Sequence, residues 1–374
     1  MPKPRVIIDA YYLYVAQTGI KTYILALCEQ IEAQKEAECS YLISPDYKKV
    51  IKSNFFRGRT SRWKNLLFQA MYFWRKQVVL PFLSYWYGAD IIFSPDILSP
   101  ILGRGKKVSV VHDTFFWDSP EHYQPLWLKY YLFFLRQGIK KNGVIITITA
   151  FSKTRLQALP DFSQVPIHVV HPASGLTTDI PDHKPQKSSR YFLHVGVLEK
   201  RKNLGMLIQA FSLLLEEPEY SDFELVLIGQ KGPRERLDDS AHLEQLVKDL
   251  NLDQKVHFLG HVSKEVLSQM YQAAFAYVFP SLNEGFGLPV LEAFTFGIPV
   301  IIAKQGALME VAGNAALVLE DNSVLALCTA MKKLLQEDAL REQLIQNGRK
   351  RLSAFSMEKF FLSLDQRFKD IVDG

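Results

Sequence analysis

Cysteine is scarce: three in 374 residues, at Cys28, Cys39 and Cys328, with no CxxC and no Cys/His spacing. That excludes a disulfide framework and a zinc finger, and reads as packing residues in a reducing compartment. Long hydrophobic runs are missing too. Segments such as Asn65–Trp74 stop at a charge after about ten residues, short of the roughly twenty that cross a bilayer. The first residues, MPKPRVIIDA, carry no apolar signal core and no cleavage site, so a cytoplasmic protein is expected. No GxGxxG follows the first strand-like run, since VIIDAYYLY has no glycine before Gly19, which argues against a nicotinamide-binding oxidoreductase. No GxSxG, HExxH or DxD is present, so neither an activated serine nor a metal is expected. Acid is absent from Tyr47 to Ala89.

What is present reads as a folded globular chain. Apolar residues make up 48% and charged residues 22%, which excludes disorder, and at about 150 residues per domain the length suggests two domains. The net charge of +5 is uneven: residues 1–185 hold 23 Lys and Arg against 14 Asp and Glu, and residues 186–374 hold 21 against 25. In the acid-free stretch, Lys48, Lys49, Lys52, Arg57, Arg59, Arg62, Lys64, Arg75 and Lys76 alternate with Phe55, Phe56, Trp63, Phe68, Tyr72, Phe73 and Trp74. A basic surface mixed with aromatics suits anionic lipid headgroups, phosphates or nucleic acid, with a solvated basic helix as the alternative, and contact with an anionic membrane is the expectation.

Strand-like and helical runs alternate throughout, the pattern of parallel sheets with crossover helices. Strands are expected at 6–9, 39–44, 91–94, 107–111, 144–149 and 166–170, then at 191–195, 224–228, 255–259, 276–279, 299–302 and 316–318. Helices are expected in the second series at about 203–217, 241–251, 264–273, 289–296 and 324–336. The aperiodic, Pro- and Ser-rich stretch His171–Arg190 reads as a linker. The α/β reading is therefore two Rossmann-like domains, 1–178 and 188–355, with a linker at 179–187 and a last helix at 356–374 packing back on the first domain.

Three segments carry chemistry. In FPSLNEGFGLPVLEAFTFGIPVI (279–301) a buried strand runs into a Gly-rich loop and a helix start, which aims backbone N–H groups at an anion. Glu284 and Glu292 flank it, eight residues apart. In HVGVLEKRKNLGMLIQAF (194–211) Arg201 and Lys202 stand at a helix beginning, where they oppose the helix dipole and call for a bound anion. In VSVVHDTFFWDSPEHY (108–123) a buried strand delivers His112 and Asp113 to the carboxyl edge of its sheet.

EGFGLPVLEA followed by GIPVI resembles the E-x(7)-E signature of retaining GT-B glycosyltransferases, glycosyltransferase family four. The resemblance is strongest from Tyr191 to Asn314 and weakest from Tyr47 to Trp86. It implies a GT-B fold and transfer of a hexose, leaning to mannose, from a nucleoside-diphosphate sugar to a glycan or lipid-linked acceptor, with no metal or other cofactor and no nucleic acid partner. Glu284, His112, Arg201 and Lys202 would be catalytic, with the two cations neutralising the leaving diphosphate. Gly19, Gly260, Val262, Phe286, Gly287, Leu288 and Glu292 would bind the donor, Glu292 through its ribose. The chain departs from the family at Thr18–Tyr23, where a second glycine and an arginine are missing, and at Thr149-Ala150, where Ser-Glu is usual. A non-catalytic sugar-nucleotide-binding scaffold would show the same binding residues.

Overall fold

The computed structural model describes residues 2–16, 18–34, 36–53, 55–56, 62–140, 142–174, 190–232 and 236–374. The expected linker, 179–187, lies outside them. Two compact units form, one from residues 1–175 with 355–374, the other from 176–354.

The first unit is built on a parallel sheet of β1 (Arg5–Asp9), β2 (Ser40–Ser44), β3 (Ile91–Ser94), β4 (Lys106–Val111), β5 (Gly143–Thr147) and β6 (Ile167–Val169), in the order β2-β1-β3-β4-β5-β6. Its inner strands are almost wholly buried, as the near-continuous Val/Ile runs require of a sheet covered on both faces. Strand order reverses at β1 and β3, which opens a crevice at their carboxyl ends. Here a charge cluster fills it. Asp9 closes β1 and Asp96 follows β3; Lys76 Nζ lies 2.8 Å from Asp9 and 2.6 Å from Asp96, and Arg75 Nε donates to Asp9 at 3.2 Å. The Tyr72 hydroxyl also donates to Asp96. The expected basic surface is corrected at these two residues: Arg75 and Lys76 are buried within the first unit. Both belong to a π-helical turn, Arg75–Val79, between the helices Arg62–Trp74 and Leu80–Tyr87. Lys48 and Lys49 face acids as well, Glu32 and Asp46. Arg57, Arg59 and the side chain of Arg62 lie outside the described residues.

The last helix, Met357–Asp373, belongs to this unit. Phe360, Phe361, Leu364 and Phe368 recur at helical spacing and are buried, with Phe368 edge-on to Phe93 of β3. Buried Asp365 accepts from Glu38 N, Cys39 N and the Tyr41 hydroxyl, fixing the helix beside the start of β2.

The second unit carries β7 (Tyr191–Val195), β8 (Glu224–Ile228), β9 (Val256–Gly260), β10 (Ala276–Phe279), β11 (Val300–Ile302) and β12 (Leu317–Val318), in the order β12-β11-β10-β7-β8-β9. This order reverses between β7 and β10. Its core packs Phe192, Leu225 and Leu227 of the sheet against Leu207, Phe211 and Leu214 of the helix Leu204–Leu215, and Leu327 and Met331 of Val324–Gln336. Two helices of this unit are new relative to the sequence reading: Gly306–Ala312, and Asp338–Leu352, in which Leu344 and Gly348 are buried. All three cysteines are buried and unpaired.

Candidate active site

At the second unit's reversal point, β7 runs through Gly196 into a short 3-10 turn, Lys200–Lys202. Asn203, in the left-handed region at φ 54°, then turns the chain into Leu204–Leu215. Across the crevice β10 ends at Phe279 and the loop carries Ser281 and Glu284. The two loops are tied along their backbones, since Leu282 N donates to Arg201 O at 2.9 Å.

The side chains complete the tie. Arg201 Nη1 donates to Glu284 Oε1 at 2.9 Å, Lys202 Nζ at 2.6 Å and Ser281 Oγ at 2.6 Å, so three donors meet one carboxylate oxygen. Arg201 Nε also donates to Glu199 at 2.7 Å, which aligns the guanidinium. Lys202 Nζ sits 4.6 Å from the centre of the Phe279 ring. Burial alone would raise the Glu284 pKa; the charges of Arg201 and Lys202, with the hydrogen bonds from Lys202 and Ser281, pull it down to about 2. Burial pushes the Lys202 ammonium below its ordinary range, with Glu284 opposing. The cluster thus holds a fixed carboxylate and two partly desolvated cations.

After Glu284 the chain enters the helix Leu288–Thr295 with Pro289 in its first turn. Gly287 caps it at φ 107°, where a side chain would strain the backbone and its Cβ would come within 2.7 Å of Leu308. Phe286 is buried beside it. Gln305 Nε2 donates to Glu284 O at 3.2 Å while its Oε1 accepts from Leu308 N, so the Glu284 loop is pinned to the start of the helix Gly306–Ala312.

Glu292 is directed elsewhere. Its Oε2 accepts from the Tyr271 hydroxyl at 3.0 Å, and burial raises its pKa. Buried Tyr277 feels both Glu284 and Glu292 and donates to Val195 O. Behind the cluster lies His194, whose Nδ1–H donates to Val278 O at 2.9 Å; burial lowers its pKa to about 3, so the ring is neutral. Gly260 ends β9 at φ 64°, followed by exposed His261 and half-buried Val262.

His112 and Gly19 belong to the first unit. His112 follows β4, and its Nε2–H donates to Pro95 O at 2.8 Å; burial lowers its pKa to about 4, which keeps the imidazole neutral with Nδ1 as an acceptor. Gly19 lies in the first turn of the helix Thr18–Ala33, one turn before Tyr23, which packs edge-on to His112. Thr149, where the family's Ser-Glu is expected, caps the helix Ala150–Gln157 by accepting from Ser152 N. Among the described residues no three of His, Cys, Asp and Glu gather as metal ligands.

The sequence reading missed Ser281, Glu199, Gln305 and Tyr271. Ser281 precedes Glu284 by three residues, a spacing that permits a local hydrogen bond; Tyr271 reaches Glu292 from another helix and left no such signal.

Comparison with known proteins decides the family. A family model described as "Glycosyl transferases group 1" matches residues 177–351. The O-antigen chain mannosyltransferase B of Escherichia coli is 30% identical over 264 residues, which is 68% of this chain and 67% of that protein. The chain belongs to the group 1 glycosyltransferases. The O-antigen chain mannosyltransferase RfbU of Salmonella typhimurium is 26% identical over 75% of this chain and 73% of its own length. Among solved structures, the sucrose-phosphate synthase of Thermosynechococcus elongatus superposes with a TM-score of 0.70 at 18% identity, covering 100% of both chains. WaaG, a glycosyltransferase involved in lipopolysaccharide biosynthesis, superposes with a TM-score of 0.66 at 18% identity, covering 99% of this chain and 100% of that one. The fold of this glycosyltransferase is GT-B.

Proposed function

We propose that this glycosyltransferase retains anomeric configuration, needs no metal, and transfers a hexose, leaning to mannose, from a nucleoside-diphosphate sugar to a glycan or lipid-linked acceptor. It works in polysaccharide or glycolipid synthesis, in the cytoplasm at the inner face of the membrane. The observation that carries the reading is the joining of Arg201, Lys202 and Glu284 at the second sheet's reversal point, where an open α/β sheet receives its ligand. The first sheet's equivalent crevice is filled by Arg75, Lys76, Asp9 and Asp96, which supports placing the nucleotide in the second unit. The mannosyltransferase names of the two relatives support the sugar.

In this reading the diphosphate meets Arg201 and Lys202, with N–H groups of Phe286, Gly287 and Leu288 at the helix start supplying further donors. Glu284 holds both cations and faces the reacting sugar; Glu292 binds the ribose, and Gly260 and Val262 border the base. The bond from the anomeric carbon to the diphosphate oxygen breaks as the acceptor oxygen bonds that carbon on the same face. The acceptor proton passes to the leaving phosphate. Preorganised cations are the main source of rate, so Arg201→Ala and Lys202→Ala each lower kcat by about 10² to 10³. Turnover of labelled GDP-, UDP- and ADP-sugars, chosen by thermal shift, tests it; wild-type kcat in either variant removes the assignment.

A further inference from the structure

The outer face of the two helices flanking the π turn bears large apolar residues that are exposed among the described residues. Leu66, Ala70, Trp74, Val78, Phe82 and Trp86 recur every four residues, and all are exposed, with Trp74 at 61%, Phe82 at 69% and Trp86 at 73%. An unbroken α-helix turns about 40° past a full circle in four residues, so such a stripe would wind away. The wider turn at Arg75–Val79 takes up the part of that drift between Trp74 and Phe82, and it points Arg75 and Lys76 inward to Asp9 and Asp96 while Trp74 and Val78 stay outside. A second helix, Pro125–Ile139, extends the surface: Phe73 packs on Tyr130 and Phe134, and Leu126, Tyr130 and Phe133 are exposed on it. Contiguous apolar exposure on this scale marks an interaction site.

Charge names the occupant. Residues 47–89 contain no acid, and neither do residues 122–160. Lys64 lies over the rings of Phe55 and Trp63, and exposed Lys129 stands among the apolar residues of the second helix. A second copy docked through the same face would oppose cation to cation, whereas an anionic bilayer complements both the charge and the Trp- and Tyr-rich rim.

We propose that this face, from Leu66 to Trp86 together with Leu126–Phe133, is a bilayer-docking surface whose aromatic and aliphatic side chains insert among the lipid headgroups, so that apolar insertion rather than charge supplies the lasting hold. It deepens the reading of a lipid-linked acceptor and rests on that reading only for its purpose. Flotation of the full chain with vesicles of phosphatidylcholine, with and without phosphatidylglycerol, tests it. Binding to the phosphatidylglycerol vesicles is expected, weakened but not abolished as salt rises from about 0.05 to about 0.5 M. Tryptophan fluorescence should be quenched by brominated acyl chains. Trp74→Gln with Phe82→Gln and Trp86→Gln should lower binding at least about tenfold and remove most of the quenching, with Tm and the thermal shift by nucleotide sugar unchanged. No binding by the wild type, binding stripped completely by salt without quenching, or equal binding by the triple variant overturns the proposal. A dimer that the triple variant converts to monomer, without vesicle binding, assigns the face to a second copy. In each case transfer to a soluble acceptor remains a separate measurement, so the proposed reaction stands or falls on its own.

Discussion

Glu284 shows how far single residues can be read from sequence. Glu284 and the Arg201-Lys202 pair were each legible as site residues, because glycines and a proline frame the first and the second opposes a helix dipole; that they join one another was not. Nor were the fixing contacts: Gln305 arrives from a separate loop, and Glu199, two residues before Arg201, stands in a spacing that does not report which way its side chain turns. Loss of Ser281 tests the difference between holding and reacting: Ser281→Ala removes one of three donors to Glu284 Oε1, so its pKa should rise and the acid limb of the pH–rate profile should move upward, with a smaller loss of kcat than Arg201→Ala shows. A fall as large as that of Arg201→Ala would make the hydroxyl a direct participant. The two neutral histidines give a stability prediction. Each has a native pKa well below the ordinary 6.5, His112 at about 4 and His194 at about 3, both through burial. Between pH 6.5 and those values the unfolded chain carries a proton on each that the native chain refuses, so stability is full above 6.5 and falls with pH. Each histidine should therefore contribute a loss of up to about 1.4 kcal/mol per pH unit to its own unit in that window. Denaturant titrations between pH 7 and pH 4.5 measure it, and His194→Gln should flatten the second unit's slope alone.

Among the elements, strands were read best. Ile91–Ser94, Tyr191–Val195, Glu224–Ile228 and Ala276–Phe279 stand where the apolar runs place them, because a strand buried on both faces leaves a continuous signature. Asp338–Leu352 escaped because its buried side is thin: Gly348 packs on Phe294, where a Cβ would come within 2.7 Å of the ring, and a glycine adds nothing to an apolar pattern. Arg75 and Lys76 were counted as surface because composition does not report which way a turn faces. The loop into Leu288–Thr295 gives an element-scale test. Gly287→Ala meets both a positive φ and Leu308, so it should destabilise the second unit by about 1 to 3 kcal/mol and weaken donor binding, seen together as a lower Tm and a smaller thermal shift with nucleotide sugar. An alanine variant as stable as the wild type would mean that the loop relaxes freely.

For the whole molecule, the two sheets share a parallel plan and differ at their reversal points, one filled by internal ion pairs and the other lined by Arg201, Lys202 and Glu284. Lys76→Met should cost the first unit about 3 to 5 kcal/mol, because two buried aspartates lose their shared cation. Donor affinity, set in the second unit, should persist, and differential scanning calorimetry with and without nucleotide sugar separates the two effects. The return of Met357–Asp373 to the first unit also orders events in time. A ribosome completes β1 to β6 early, yet the phenylalanines that cover Phe93 and Tyr41 are made only after the entire second unit. The first unit therefore waits for the whole of the second to be made before it receives that wall, and the second, continuous in sequence, is free to fold first.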